Sequence, residues 1–380
     1  MVKPWQVPSR WQDYVLYRGE GLREFWQAHL ADTRRSVCVI LAKGFDPRMC
    51  LGIEMLAECA TGVSLDVKCI EFDEGPTSPS LVHRQLVQQN WQDLITLTKT
   101  GLPPEIRPIQ MLNEGRRVGS RNAADTFQSL ADFGGCTDLV VDVSAMPRTI
   151  YCPLISKLLF LVDEARASGA KEVPNLHLVV GENPKLDACI ADEEVDDTAS
   201  YVVPYSSRLD REATAGRPRV WIPLLGEGQE LQLARINDLV APDEVCPVLP
   251  SPSVDPRRGD DLILAYRGLL FDTFRIEPRN IIYASEWNPF EVYRQVRQTM
   301  MHYQEALAAL DGCKTVLSAL SSKLMSLGAL LVAYEAKDLG LDIGMAHVEC
   351  RGSVMDLAKA QAVRSSGELV GMWVSGECYE

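Results

Sequence analysis

The sequence predicts an α/β protein built from two tandem Rossmann-like lobes, each with a mainly parallel sheet flanked by helices. Strand-like apolar runs alternate with amphipathic helical patterns along most of the 380 residues, which is typical of parallel strands joined by crossover helices. In addition, segments 137–148 and 314–328 share one plan: an apolar run, a serine-containing turn, and a helical pattern that begins at Arg148 or Lys323. This recurrence suggests a duplicated chain whose two halves face one ligand.

Composition limits the possible partners. A chain of 380 residues is long enough for two domains with separate cores. The net charge of −14 argues against duplex nucleic acid as a partner of the whole surface, although a local positive pocket still suits a small anion. The eleven cysteines form no Cys-x-x-Cys pair, which is typical of reduced thiols. Because we find no apolar signal region and no membrane-length apolar run, we expect a cytoplasmic protein with no membrane contact.

Residues 1–35 are predicted to form a helical, aromatic-rich lead-in that packs on a lobe or on a partner. The first lobe is predicted to cover residues 36–215. Its expected strands lie near 36–44, 65–72, 106–112, 138–144 and 176–181, and its expected helices near 47–61, 79–99, 116–133 and 148–168.

The second lobe is predicted to cover residues 216–380. We place the boundary near 215 because residues 183–217 are polar, acidic around 191–197, and without apolar periodicity. Its expected strands lie near 219–225, 244–249, 280–285, 314–319, 342–348 and 368–375, and its expected helices near 229–240, 258–275, 290–310 and 322–338. The four prolines within 247–256 predict a loop there.

The turn after the first strand is one candidate binding loop, since ligands of open parallel sheets bind beyond the carboxyl ends of the strands. Gly44 allows close approach of the backbone to a ligand, and Asp46 is placed to cap the next helix. Lys43 and Arg48 are then either ligand contacts or solvated side chains. The chain has no Gly-x-Gly-x-x-Gly motif, which argues against dinucleotide binding in its usual mode.

The turn after the strand at 138–144 is a second candidate. Asp142 at the strand end and the Ser144 hydroxyl suit a ribose or a metal ion, and Arg148 suits a phosphate. The alternative is structural: Ser144 caps the helix, and Asp142 accepts hydrogen bonds from backbone N–H groups.

In the second lobe, a third candidate turn follows the strand at 280–285. Trp287 suits stacking on a base, and Ser285 or Asn288 suits hydrogen bonding to it. Packing of Trp287 in the core is an equal alternative.

The segment 317–335, LSALSSKLMSLGALLVAYE, resembles the strand and helix of CRISPR-associated Rossmann fold (CARF) domains and of the related SAVED domains, which fuse two such folds. This resemblance implies a sensor of cyclic oligonucleotides or similar messengers in antiviral defence. It implies that Ser321, Ser322 and Lys323 line the ligand, although the family more usually has glycine and threonine there. It further implies three counterparts in the first lobe: Ser144, Met146 and Arg148.

The strong enzyme signatures are missing from the sequence. It has no Gly-x-Ser-x-Gly elbow, and the residue three before Lys323 is Leu320 rather than serine. His29 and His177 are isolated in a predicted helix and a predicted strand, with no second histidine at metal-ligand spacing. We therefore expect no cofactor and no metal, and favour a protein that is not an enzyme.

The favoured hypothesis is a nucleotide-type anionic ligand bound in a cleft between loops 43–48, 142–148, 285–288 and 321–323. Its binding would be signalled to a separate effector protein or complex. One alternative is a metal-dependent enzyme acting on a nucleotide or sugar phosphate, with Asp142 and either Asp46 or Asp73 as metal ligand or base. Another is a structural subunit with a degenerate pocket, in which the cations face solvent or pair with carboxylates.

Overall fold

The computed structural model describes residues 3–98, 103–206, 209, 214–363 and 367–379. The chain divides into two compact units. The first unit contains residues 14–194 and 350–380, and the second unit contains residues 1–13 and 195–349. Among the described residues, every helix is too short or too polar to cross a lipid bilayer.

Strands and helices alternate along the chain as the sequence predicts. The strands are β1 (Val15–Arg18), β2 (Ser36–Ala42), β3 (Ser64–Asp73), β4 (Glu105–Gln110), β5 (Leu112–Asn113), β6 (Arg116–Arg117), β7 (Asp138–Asp142), β8 (Asn175–Glu182), β9 (Ile190–Glu193), β10 (Ser200–Tyr201), β11 (Arg219–Leu224), β12 (Glu244–Val245), β13 (Val248–Pro250), β14 (Ile282–Ala284), β15 (Lys314–Ala319), β16 (Ile343–His347), β17 (Gly352–Met355) and β18 (Glu368–Ser375). The helices are α1 (Gly19–His29), α2 (Leu51–Cys59), α3 (Arg84–Leu97), α4 (Gly119–Asp125), α5 (Arg148–Ala167), α6 (Pro184–Asp187), α7 (Glu230–Val240), α8 (Arg258–Ala265), α9 (Pro289–Ala306), α10 (Lys323–Asp338) and α11 (Leu357–Val363).

The sheet of the first unit has the strand order β1-β18-β8-β7-β2-β3-β4. The five strands from β8 to β4 are parallel, whereas β18, at one side, pairs antiparallel with both β8 and β1. Numbered along the chain, the parallel strands have the order 3-2-1-4-5, which is the Rossmann order. The strand order reverses between β2 and β7, and this position is the switch point of the sheet. Both strands are buried along nearly their whole length, as expected for central parallel strands.

The sheet of the second unit repeats this arrangement. Its order is β10-β16-β15-β11-β13-β14, with β12 also beside β11. The strands β11, β13, β14, β15 and β16 are parallel and again have the order 3-2-1-4-5, so that the switch point lies between β11 and β15. The predicted fold class, two Rossmann-like lobes with mainly parallel sheets, is confirmed.

Four helices follow the strands at the two switch points: α2, α5, α7 and α10. Of these, α10 has the largest buried share of its residues. Its residues from Leu324 to Ala336 are all buried, which is typical of a helix covered on every side. Gly328 lets α10 approach α9 closely: a Cβ at this position would lie 2.7 Å from Val292 Cβ and closer still to the Pro289 carbonyl oxygen. The start of α10 is therefore held by a tightly packed helix pair.

The two ends of the chain differ from the sequence prediction. Contrary to the prediction, the C-terminal strand β18 does not belong to the second sheet. It lies in the first sheet, between β1 and β8. Residues 15–18 form a strand rather than part of a helix, because they pair with β18. Residues 3–13 belong to the second unit, where the Trp11 ring packs edge-on against Tyr293 at 5.2 Å. The predicted boundary near 215 therefore lies inside the second unit.

Two short segments also differ from the prediction. The proline-rich stretch contains β13, because neighbouring strands use its carbonyl groups: Ile282 N–H donates to Pro247 O at 2.9 Å, and Leu225 N–H donates to Val248 O at 3.0 Å. Proline lacks an N–H but keeps its acceptor. Residues 112–117 form a hairpin rather than a helix start, with Glu114 and Gly115 at positive φ as a tight two-residue turn requires.

Candidate functional site

In the first unit, the turns after β2 and β7 meet at the switch point. A Cβ on Gly44 would lie 3.5 Å from the carbonyl oxygen of Ala145, so the two turns are in near contact. The Asn90 side chain of α3 donates hydrogen bonds to the carbonyl oxygens of Gly44 at 2.9 Å and Asp46 at 3.0 Å. The predicted binding loop at 43–48 is thus held in place by α3.

Arg48 is committed to internal partners. Its guanidinium donates to Asp46 at 2.9 and 2.6 Å, to Asp187 at 2.7 Å, and to the Gly181 carbonyl at 3.1 Å. Burial acts to lower the pKa of Arg48, but its hydrogen bonds and the charges of Asp46 and Asp187 raise that pKa by more. Lys43 forms an ion pair with Glu71. This pairing of cations with carboxylates is the arrangement that the structural-subunit hypothesis predicts.

Asp142 and Ser144 also make local contacts. Asp142 Oδ1 accepts a hydrogen bond from the Ser144 N–H at 2.9 Å, and Ser144 Oγ accepts one from the Gly181 N–H at 2.7 Å. A Cβ on Gly52, in the first turn of α2, would lie 3.1 Å from Asp142 Cγ and closer to Oδ2. The carboxylate of Asp142 thus occupies the helix-start position that favours an anion.

Met146 and Arg148 are the other two residues of this turn that are predicted to line a ligand. Met146 is buried in the core. Arg148 is half-buried as the first residue of α5. The structure therefore brings the loops at 43–48 and 142–148 together, but gives Lys43, Asp46, Arg48 and Asp142 partners from the protein itself.

In the second unit, the turns after β11 and β15 are in direct contact. A Cβ on Gly226 would lie 3.0 Å from Ser321 Cα and closer still to the Leu320 carbonyl oxygen. The Tyr266 hydroxyl donates to the Gly226 carbonyl and accepts a hydrogen bond from the Gln229 N–H at 3.0 Å. The run Gly226-Glu227-Gly228 is a signal that a search for the longer Gly-x-Gly-x-x-Gly motif does not detect.

Ser321, Ser322 and Lys323 lie together where α10 begins, and all three are half-buried. Ser322 is the N-cap, and its Oγ accepts a hydrogen bond from the Met325 N–H at 3.3 Å. Ser321 Oγ lies 3.1 Å from Met325 Sδ. Two hydroxyls and an ammonium group are thereby placed at the start of a 16-residue helix, where N–H groups favour an anion.

The third predicted turn, 285–288, mainly provides the N-terminal cap of α9. Ser285 Oγ accepts a hydrogen bond from the Trp287 N–H at 3.2 Å. Asn288 is the N-cap of α9 and accepts from the N–H groups of Phe290 at 3.0 Å and Glu291 at 3.3 Å. Trp287 is half-buried.

Arg258, at the start of α8, joins two acidic residues near these turns. It donates to both carboxylate oxygens of Glu227, at 2.6 and 2.7 Å, and pairs with the buried Glu286. Burial acts to raise the pKa of Glu227, but its hydrogen bond and charge interaction with Arg258 lower that pKa by more. The acidic charge within the Gly226–Gly228 turn is therefore balanced by an arginine.

At the amino ends of the strands in the first unit, two histidines meet one carboxylate. His29 Nε2 lies 2.8 Å and His177 Nε2 lies 3.1 Å from Asp138 Oδ1. Both histidines are isolated in the sequence, and nothing in the local pattern indicates that the end of α1 meets the first residues of β7 and β8.

Comparison with protein-family models and with curated proteins found no match to this chain.

Proposed function

We propose that this protein binds a nucleotide-type anionic ligand at the turn between β15 and α10. The observation that carries the proposal is the contact of Gly226 with Leu320, which joins the two switch-point turns of the second sheet beside Ser321, Ser322 and Lys323. In open parallel sheets, the crevice at the switch point is where ligands bind.

The chemistry of this turn suits a phosphate. Backbone N–H groups at the start of α10 and the serine hydroxyls donate hydrogen bonds to phosphate oxygens, and the Lys323 ammonium balances their charge. A hydrogen bond to a charged group contributes about 1.5–3 kcal/mol. In the first unit, Lys43 and Arg48 form ion pairs with carboxylates of the protein itself.

Trp287, at the end of β14, is the side chain we assign to base stacking. Strand β14 is separated from β15 by β13 and β11, which amounts to three strand spacings, or about 14 Å. A ligand that contacts both Trp287 and Lys323 is therefore longer than a free phosphate, as a nucleotide or an oligonucleotide is. We further propose that ligand binding is passed on to a separate effector protein or complex.

The test is native mass spectrometry of the purified protein with linear oligonucleotides, cyclic oligonucleotides and mononucleotides, followed by titration of any ligand that binds. We expect Lys323→Gln to weaken binding at least tenfold, about 1.4 kcal/mol, and to reduce the salt dependence of the affinity. The matched control is Lys359→Gln, which removes the same charge from an exposed lysine of the first unit.

Unchanged affinity in Lys323→Gln would overturn the assignment of the site. If no oligonucleotide or nucleotide binds, but the protein is purified with a stoichiometric partner, the structural-subunit hypothesis replaces this proposal.

A further inference from the structure

The cluster around Asp138 belongs to the first unit and shares no residue with the proposed nucleotide site, which is built from residues of the second unit. The His29 and His177 side chains are 7% and 3% exposed, and that of Asp138 is 0% exposed. Both imidazoles direct Nε2 at the same oxygen, Asp138 Oδ1. One ligand atom from each of the three residues lies within 4.8 Å of the other two.

We propose that His29, Asp138 and His177 bind a divalent transition-metal ion, with Zn²⁺ as the best fit to this donor set. Imidazole nitrogen and carboxylate oxygen are common zinc ligands, at about 2.0–2.2 Å from the ion. Two ligand atoms at that distance lie about 2.8–3.1 Å apart in octahedral geometry and about 3.3–3.6 Å apart in tetrahedral geometry. The separations of 2.8 and 3.1 Å from Asp138 Oδ1 to the two nitrogens match the octahedral range.

The carboxylate is oriented by further donors, as metal-binding carboxylates commonly are. Asp138 Oδ2 accepts hydrogen bonds from the Thr137 hydroxyl at 2.7 Å and from Arg35 at 3.3 Å. Asn175 Nδ2 donates to Oδ1 at 2.9 Å. These contacts fix the plane of the carboxylate, so that Oδ1 faces the two histidines.

Aromatic rings surround the imidazoles and exclude bulk water. Phe25 stacks on His29 with ring centroids 5.1 Å apart, and Trp26 and Trp373 lie 4.8 and 4.9 Å from His177. An ion bound here joins the end of α1 to the first residues of β7 and β8. We therefore assign it a structural role, the attachment of α1 to the sheet.

The competing explanation is a hydrogen-bonded cluster without metal, in which both imidazoles donate to Asp138. The experiment starts from protein dialysed against a chelator and titrated with Zn²⁺ and, separately, with Co²⁺. We expect one equivalent of ion to bind, the melting temperature to rise with ion concentration, and Co²⁺ to quench the fluorescence of Trp26 and Trp373. The absence of binding of either ion at micromolar concentrations would overturn the proposal.

Variants then locate the site. His177→Ala should weaken Co²⁺ binding at least a hundredfold. Asn175→Ala leaves the three ligands in place but removes the Nδ2 donor to Asp138 and the acceptor of the Glu377 N–H, and should weaken Co²⁺ binding by about 10–100-fold. His302→Ala, at an exposed histidine of the second unit, is the matched control. Equal loss in His302→Ala and His177→Ala would show adventitious binding and overturn the assignment.

The proposal remains testable if His177→Ala does not fold, because X-ray absorption of the wild-type protein with one equivalent of Zn²⁺ measures the ligand set directly. Two imidazoles and oxygen ligands at about 2.0–2.2 Å are expected. A spectrum with sulfur ligands, or with oxygen ligands alone, would place the ion elsewhere and overturn the assignment.

Discussion

Substitution of Gly226 by alanine is the strongest test of the contact between the switch-point turns of the second unit. The added Cβ would lie 3.0 Å from Ser321 Cα, 3.1 Å from the Leu320 carbonyl carbon, and closer than either to the Leu320 carbonyl oxygen. All three atoms belong to the backbone, so that no side-chain rotation relieves the overlap. Overpacking of this kind costs typically about 1–3 kcal/mol. For a unit of this size, that is a fall of about 2–12 °C in melting temperature.

The assay is urea and thermal unfolding of Gly226→Ala, followed by tryptophan fluorescence and far-UV circular dichroism. Gly216→Ala is the matched control, since a Cβ at Gly216 meets nothing within 4 Å. It should change the free energy of unfolding by less than about 0.5 kcal/mol. If Gly226→Ala were as stable as Gly216→Ala, the turns after β11 and β15 would not be in contact, and the observation behind the proposed ligand site would be lost.

Three further predictions concern stability. Gly21→Ala in α1 should raise the free energy of unfolding by about 0.5–1 kcal/mol in urea titrations, because a Cβ at Gly21 meets nothing within 4 Å and alanine favours the helix; a loss of stability would contradict this. Arg48→Met should lower that free energy by about 3–5 kcal/mol, because Asp46 stays buried without its counter-charge, and adding Asp46→Asn should restore part of the loss. The pKa of Glu227 in the folded protein is lowered from its ordinary 4.5, so its pairing with Arg258 stabilises the fold above about pH 4.5 and is lost as the pH falls through the lowered value. Glu227→Gln should therefore flatten the acid limb of a plot of stability against pH, and an unchanged limb would refute this.

The sequence predicts the central strands well, because their signal is local. The strand at 314–319 has its predicted bounds, and the strand at 138–142 begins at its predicted residue. Both are short segments with an apolar centre, bounded by turns, and such segments suit strands buried on both faces. The sheet that a strand joins is not encoded locally. The pattern of 368–375 indicates a strand, but its pairing with β8 depends on partners almost two hundred residues away.

The same limit applies to the candidate sites. The sequence places Arg48 and Lys323 at the carboxyl ends of strands but does not reveal that Asp187 binds Arg48. Nor does it reveal that His29 and His177 meet at Asp138, because the three residues come from separate elements. Chemistry that depends on the next few residues can be predicted from sequence, whereas chemistry assembled by the sheet requires the fold.

The pairing of β9 with β17 has a consequence for how such a chain arises. The chain leaves the first unit after Glu194 and returns at Cys350, where Glu193 and Gly352 are partners in adjacent antiparallel strands. The residues that flank segment 195–349 are thus held together by one pair of strands. Residues 195–349 therefore resemble a domain inserted at the tip of the hairpin formed by β9 and β17. A chain that ran directly from Glu194 to Arg351 would close that hairpin with a short turn. If a duplicated copy of the fold was inserted into this hairpin, the last strand of the first sheet, β18, would follow the inserted copy in the sequence, as it does.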